Sequence, residues 1–419
     1  MAERAGHQTL PAALAEPSTP VRRGWITWLF LANIGLWLGF YAPIQVLLPR
    51  QAELLDAANK EAIFGLVTGI GAAVSVVANP LAGLLSDRTC SRFGRRHPWT
   101  VAGALLGAAG MVVLTSAGNV VVMTIGWCLV QAGLNAMLAT LTASLPDRVP
   151  TVQRARVGGF IGISQMLGTV LGTVLVTVLV TSLAGGYLAC AALVIAGATV
   201  FVLRTPDAAL PRTFRPSGRL RTVVTNLWVS PRRHPDFGWA WGCHFLVGLG
   251  NALGTLYLLF FLDDAVGYPD PGTGLLILMG LYGAALTVGA VVGGKVSDAS
   301  GKRKPYVLAA CALMAATALL LMLWQSWPAA LAAAPLLGAG YGLYWAVAMA
   351  ILTQVLPAAA ARAKDLGVVN IANSLPQVIA PLLATVLLAT FGGYPALFGA
   401  SALATLCAGV LITRVRAVL

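Results

Sequence analysis

Polar side chains recur at helical spacing inside stretches that are otherwise apolar. One stretch carries Asn33, Trp37 and Tyr41 at i, i+4 and i+8, followed by Gln45. Another carries Asn370, Asn373, Ser374 and Gln377 at i, i+3, i+4 and i+7. Between them lie Gln131 and Asn135, then Gln165, then His244 with Asn251 and Thr255, then Tyr341, Tyr344 and Trp345. Amides beside Trp and Tyr rings can orient a neutral, hydroxyl-bearing or aromatic molecule by hydrogen bonds and cover its apolar faces. The competing reading is packing, because Asn and Gln also hydrogen-bond between helices and Trp often marks an interface. His244 is the one ionisable side chain clearly inside an apolar stretch; it is expected either to relay a proton or to sit in a structural hydrogen bond.

Bond-breaking chemistry needs more than this. No H-E-x-x-H helix, paired carboxylates or nucleophile beside a base occurs, so no catalytic residue and no enzyme is expected. The glycines lie inside apolar stretches and form no G-x-x-x-x-G-K-[ST] loop, which argues against nucleotide hydrolysis. Cys90, Cys128, Cys190, Cys243, Cys311 and Cys407 show no C-x-x-C spacing and read as small packing residues, without disulfide, metal or cofactor.

The elements that hold these residues follow from composition. Of 419 residues 58% are hydrophobic and 10% charged, and the mean hydropathy is +0.82, so lipid is the solvent for most of the chain. A bilayer core of ~30 Å calls for ~20 apolar residues per helix. Twelve such spans are expected, at about 24–48, 61–86, 98–117, 120–145, 156–182, 187–203, 237–262, 274–294, 305–325, 329–355, 366–390 and 394–412. Residues 1–23 and 414–419 read as cytoplasmic tails, and 204–236 as an Arg-rich cytoplasmic linker between bundles at 24–203 and 237–413.

The net charge of +13 is distributed by topology. With both termini inside, every Lys and Arg of the 27 except Arg50 and Lys60 falls on cytoplasmic segments, as the positive-inside rule requires. The basic clusters therefore suit anionic lipid headgroups, and their scatter over short loops argues against nucleic acid. Glu53, Asp56, Glu61, Asp263 and Asp264 lie at or beyond the outer mouth, where solvation is expected, with attraction of a proton or cation as the alternative.

The chain is duplicated. Gly83-Leu-Leu-Ser-Asp87 with Gly94-Arg-Arg-His-Pro-Trp99 is echoed by Gly294-Lys-Val-Ser-Asp298 with Gly301-Lys-Arg-Lys-Pro-Tyr306. Leu145-Pro146 repeats at Leu356-Pro357 with the same offset as Asp87 to Asp298. Two six-helix bundles about an axis along the membrane normal are a transporter architecture.

The loop from Gly83 to Trp99 resembles the signature loop between spans two and three of the major facilitator superfamily. Its longer form, with Ser86-Asp-Arg88, Ser91-Arg-Phe-Gly-Arg-Arg96 and Pro98-Trp99, is similar to the sucrose-transporter and glycoside–cation symporter branch. The resemblance implies an all-α polytopic membrane protein of 12 transmembrane helices in two pseudo-symmetric bundles, a secondary transporter. It also implies a gate latch that closes the bundles on the cytoplasmic side. In the first half this is Asp87 with Arg88, Arg95, Arg96, Asp147, Arg154 and Arg156; in the second, Asp298 with Lys302, Arg303, Lys304 and Asp365. Spans one, four, seven and ten line the cavity in this family, which suits the polar stripes above.

Two departures qualify the resemblance. The branch uses acidic or Arg residues deep in the membrane, and spans one to five here hold neither. Span five, Gly162-Ile-Ser-Gln-Met-Leu-Gly-Thr-Val-Leu-Gly172, lacks the Gly-Pro pair of drug:proton antiporters. The expectation is a proton-driven sugar or glycoside transporter, monomeric, in the cytoplasmic membrane; the alternative is an exporter or facilitator of a secondary metabolite or drug-like compound.

Overall fold

The computed structural model describes residues 11, 13–15, 17–215, 234–354 and 362–416. Long helices dominate because almost every residue between the loops is apolar or small, and a backbone in lipid must satisfy its own hydrogen bonds. They are α1 (Arg23–Leu55), α2 (Lys60–Asp87), α3 (His97–Thr115), α4 (Val120–Arg148), α5 (Thr151–Val174) and α6 (Leu183–Arg204) in the first half. The second half has α7 (Pro235–Ala265), α8 (Pro271–Ser300), α9 (Lys304–Leu323), α10 (Trp327–Gln354), α11 (Arg362–Thr390) and α12 (Tyr394–Arg414). Eleven of the helices are long and apolar enough to cross a membrane; in α11 the apolar stretch Leu375–Thr390 is shorter.

The packing scheme repeats between halves. In the first, α1 packs on α5 and α6, α3 on α4 and α6, and α2 on α4; in the second, α7 packs on α11 and α12, α9 on α10 and α12, and α8 on α10. This is the duplication seen in the sequence, realised as two pseudo-symmetric six-helix bundles. Large apolar side chains such as Val77, Leu105, Val121, Val288, Leu403 and Val410 remain exposed on the outside, as lipid contact allows. Small residues set the close crossings: a Cβ on Gly338 or Gly342 of α10 would collide with the carbonyls of Tyr282 and Leu286 on α8.

One end of the bundle carries the α2–α3 loop, the start of α1 and the end of α12, and is called the termini face here; the other is the far face. Near the far face α1 and α7 each relax into a π turn, at Pro43–Leu47 and Phe261–Ala265, and a third π turn, Leu175–Leu179, follows α5 directly. Pro43 helps cause the first, because its ring nitrogen has no hydrogen for an α-type bond.

Candidate functional site

At mid-depth the two halves present polar and aromatic side chains to each other. On α1 the ring of Trp37 lies 5.9 Å from that of Tyr41, and the Tyr41 hydroxyl accepts a 3.3 Å hydrogen bond from Gln165 Nε2 on α5. Gly168 lets α5 come against Trp37, where any Cβ would clash. The Trp37 indole nitrogen is buried without a hydrogen-bond partner. Such an orphaned donor is uncommon in a finished core. Gln45, the next polar residue on α1, accepts from Thr173 Oγ1 at 3.3 Å and reaches Met279 Sδ of α8 at 3.4 Å.

From the second half, the Tyr282 hydroxyl on α8 donates to Asn251 Oδ1 on α7 at 3.0 Å. On α10 the Tyr341 and Trp345 rings meet edge to face at 6.1 Å. Gln45 of α1 on Met279, and Met166 of α5 accepting from Thr287 Oγ1 at 2.8 Å, bring α1 and α5 of one half against α8 of the other. Thr255 folds back onto Asn251 O at 2.8 Å. His244 is buried; its Nδ1 lies 2.6 Å from the Tyr344 hydroxyl, its ring stacks on Tyr344, and it meets Trp345 edge-on at 5.7 Å. That geometry fits the structural hydrogen bond anticipated as one of its two roles.

Other expected residues are placed differently. Asn33 is buried and donates to Leu29 O of its own helix at 2.8 Å. Asn135 and Gln131 are buried and bonded to each other, Asn135 Nδ2 donating to Gln131 Oε1 at 3.0 Å and to Gln131 O at 2.9 Å. Their contacts resemble helix packing more than a ligand site. Gln377 is exposed. The side chains of Asn370, Asn373 and Ser374 lie outside the described residues.

The α2–α3 loop builds a charged cluster at the termini face. Arg96 pairs with Asp87 at 2.6 Å and with Asp147 of α4 at 2.8 Å, and donates to Ser86 Oγ at 3.0 Å. Arg95 pairs with Asp147 at 2.6 Å and more weakly with Asp87 at 4.0 Å. Burial works against the Arg96 charge, yet Asp147 and Asp87 outweigh it and hold the guanidinium above its ordinary range. Arg154 holds the end of α4 through Val149 O and Pro146 O, and Arg88 is half-buried within the loop. Beyond α6, Asp207 accepts from the amides of Arg96 and His97 at 2.6 and 2.9 Å, an anion at the start of α3 where the helix dipole favours one. Asp207 sits so close to Gly94, whose φ is +92°, that no side chain fits there.

The resemblance leads one to expect these charges to join the two halves. In this structure the ion pairs of Arg95 and Arg96 lie wholly within the first half, on α2, α4 and the loop between α2 and α3. In the second half Lys302 is exposed, Arg303 and Lys304 are half-buried, and the loop closes through Ser297 Oγ donating to Lys302 O at 3.2 Å. The side chains of Arg156, Asp298 and Asp365 lie outside the described residues.

At the far face Lys60 of α2 is buried and pairs with Asp264 at 2.7 Å, Asp263 at 3.0 Å and Glu53 at 3.4 Å; the three carboxylates are exposed to solvent and at the same time bridge the halves through this lysine. Nearby, Phe64 packs edge-on against Tyr257 and Phe260 of α7, and Gly65 and Gly69 admit Pro381, Thr385 and Leu382 of α11. Sequence reasoning passed over Lys60 and Tyr282. A lone cation on the acidic face was a usable sign for the first; α8 offers no local pattern for the second.

Comparison with known proteins places the chain. The family model described as Major Facilitator Superfamily matches residues 29–285 and 243–418. The chain is 24% identical over 246 residues to a lactose permease of Lactobacillus delbrueckii subsp. bulgaricus, covering 52% of this chain and 39% of the relative. It is 29% identical over 118 residues to a general alpha-glucoside permease of Schizosaccharomyces pombe, covering 23% and 21%. The matched stretches thus span well under half the length of these relatives. Among solved structures, a peptide transporter POT in complex with sulfate superposes with a TM-score of 0.75 at 14% identity, covering 96% of each chain. The human organic anion transporter MFSD10 superposes with a TM-score of 0.66 at 16% identity, covering 94% of this chain and 100% of that one. At such identity the superpositions speak for the fold alone, and together with the family match and the helices long enough for lipid they lead to one assignment: the chain is a multi-pass membrane transporter of the Major Facilitator Superfamily, a family of carriers and not of enzymes.

Proposed function

We propose that the protein carries a neutral, hydroxyl-bearing solute, a sugar or glycoside, across the plasma membrane by alternating access, driven by protons. In this reading residues 24–203 and 237–413 move as two units joined by 204–236. The protein works as a monomer among lipids, with both termini in the cytoplasm. The observation that carries it is that Trp37, Tyr41 and Gln165 of one half and Asn251 and Tyr282 of the other line helices that meet at mid-depth, through Gln45 on Met279 and Met166 on Thr287. These groups offer hydrogen bonds and flat rings without a charge, and the unsatisfied Trp37 donor is suited to a solute hydroxyl. The names of the two permeases point to the same solute class. The contacts between halves described above run from the far face to mid-depth, which suits a state closed to the outside.

One observation favours a second reading, passive facilitation or export of a metabolite or drug-like compound. His244, the group near the polar region whose ordinary range lies near neutrality, is engaged with Tyr344. Uptake into proteoliposomes, with sugars, glycosides and aromatic metabolites and with or without a pH gradient, decides between them. Gradient-accelerated sugar uptake lost in His244→Ala supports the first reading, and gradient-independent flux the second. Absence of flux for every compound overturns both.

A further inference from the structure

The charge distribution of the sequence leaves two of its 27 basic residues, Arg50 and Lys60, for the far face. Both belong to the first half, and both are seated against the second. The Arg50 guanidinium of α1 lies over the start of α8, its Nη2 2.8 Å from the place that a Cβ on Gly272 would take. The Lys60 ammonium of α2 lies between Glu53 at the end of α1 and the Asp263 and Asp264 carboxylates at the end of α7, at 3.4, 3.0 and 2.7 Å. The ion pairs of Arg95 and Arg96 at the termini face stay within one half, whereas those of Lys60 with Asp263 and Asp264 cross to the other.

The duplication explains why a cation is needed there. Glu53 and Asp264 are separated by the same offset as Asp87 and Asp298, so they are equivalent residues, each at the far end of the first span of its bundle. A duplicated acid meets its own copy when the ends of α1 and α7 come together. Both reach one nitrogen, so no more than about 6 Å separates their nearest oxygens, close enough for strong repulsion between like charges. The position equivalent to Lys60 is Pro271, so the second half brings no matching cation. The Lys60 side chain is 9% exposed against 44%, 43% and 31% for Glu53, Asp263 and Asp264, and the Phe260 ring centroid lies 5.5 Å from its nitrogen. The acids thus stand at the water's edge and the ammonium is enclosed behind them.

Resting on the alternating-access reading above, we propose that Lys60 is the pin of a far-face lock, holding together two acidic rims that repel each other without it. With the pin in place, the first side offers an ammonium and one carboxylate to the two carboxylates of the second, and the close opposite charges dominate. With the pin withdrawn or neutral, only like charges face each other and the same acids push the halves apart. A buried ion pair adds little net stability, because each charge gives up water, but removal of one partner leaves the rest uncompensated. That asymmetry suits a gate: the closed state has a single register yet is favoured only modestly, so it can open in every cycle. Opening returns the ammonium to water beside Glu53, its partner in the same half.

The test needs no solute. Nitroxide labels at Ala58→Cys and Pro269→Cys, in a background lacking the six native cysteines, report the separation of the halves at the far face by pulsed electron resonance in lipid nanodiscs. Lys60→Met keeps the length and apolar stem of the side chain and removes its charge, so it separates a lock from mere packing. The ratio of open to closed distances is expected to rise roughly tenfold in that variant, the scale of a modest coupling energy, and to stay at the parent value in Lys60→Arg. Adding Asp263→Asn and Asp264→Asn to Lys60→Met removes the repulsion and is expected to bring the ratio most of the way back. If Lys60→Met folds poorly, Lys60→Gln takes its place in both comparisons. A parent-like ratio in the charge-neutral single variant, or a triple variant as open as the single one, overturns the lock. Failure to find a transported solute in liposomes would sink the proposed function but leave this measurement standing, so the two failures are distinguishable.

Discussion

The packing scheme that relates the halves also relates the two seams between them: α2 on α11 corresponds to α8 on α5. The two are built unequally. Across the first, Gly65 and Gly69 bring α2 so close to α11 that a Cβ at Gly65 would collide with Thr385, and Lys60 adds its ion pairs at the end. Across the second, the Met166 side chain stands between α5 and α8, against Gly283 and with Thr287 Oγ1 donating to its sulfur at 2.8 Å. Two glycines and the ion pairs of a buried lysine make one seam tight, and one flexible thioether spaces the other. A sequence duplicated to give two equivalent seams has thus been differentiated by a handful of side chains, which lets a symmetric frame rest in one asymmetric state.

That comparison can be broken or sharpened by substitution. The largest effect on stability is expected away from both seams: Arg96→Ala removes the close partner of Asp87 and one of the two that hold Asp147, Arg95 remaining on the latter, and should cost about 3 kcal/mol by thermal unfolding in detergent. The separation of the halves at the far face, read by pulsed electron resonance between nitroxide labels at Ala58→Cys and Pro269→Cys in a background lacking the native cysteines, should nevertheless stay unchanged, because the cluster lies within one half; a shift there would mean the cluster does couple to the seams. Next, Gly65→Leu overpacks the tight seam by about 2 kcal/mol, which should open the far face and cut any measured flux more than about tenfold. Unchanged label distances would show that the seam tolerates the side chain. Tyr282→Phe removes the bond to Asn251 and is expected to cost about 1 kcal/mol, weakening solute binding in proportion while leaving label distances alone. The smallest effect belongs to the loose seam: Met166→Ala should change stability by less than about 1 kcal/mol, since a flexible side chain at a slight contact has room to relax. A loss as large as that of Gly65→Leu would erase the distinction between the seams.

Most of the fold was legible because lipid writes it into composition: runs of apolar residues of the right length can only be spans, and the repeated loop gave the pairing of halves. The boundary of α1 was not, since Arg50, Gln51 and Glu53 do not read as part of a span that continues to Leu55. Gln51 belongs there because it is buried, donating to Leu114 O at 2.8 Å and accepting from the Tyr187 hydroxyl at 2.8 Å, partners on α3 and α6 that no local pattern predicts. The site was legible as a set of polar stripes but not as a geometry. Helical spacing selects a face, yet only packing decides that Tyr41 meets Gln165 while Asn33 turns back to its own backbone. Lys60 was passed over for the same reason, because charge-topology rules treat an outside lysine as an exception and say nothing of the acids that pair with it.

The π turn at Phe261–Ala265 gives this last cluster a further property. Such a turn holds one residue more than an α turn, so re-forming the ordinary pitch would advance everything beyond it by about 1.5 Å and swing it by about 100°. Asp263 and Asp264 ride on that surplus residue, and a change of winding confined to a single turn would be enough to withdraw both carboxylates from Lys60 without tilting either bundle.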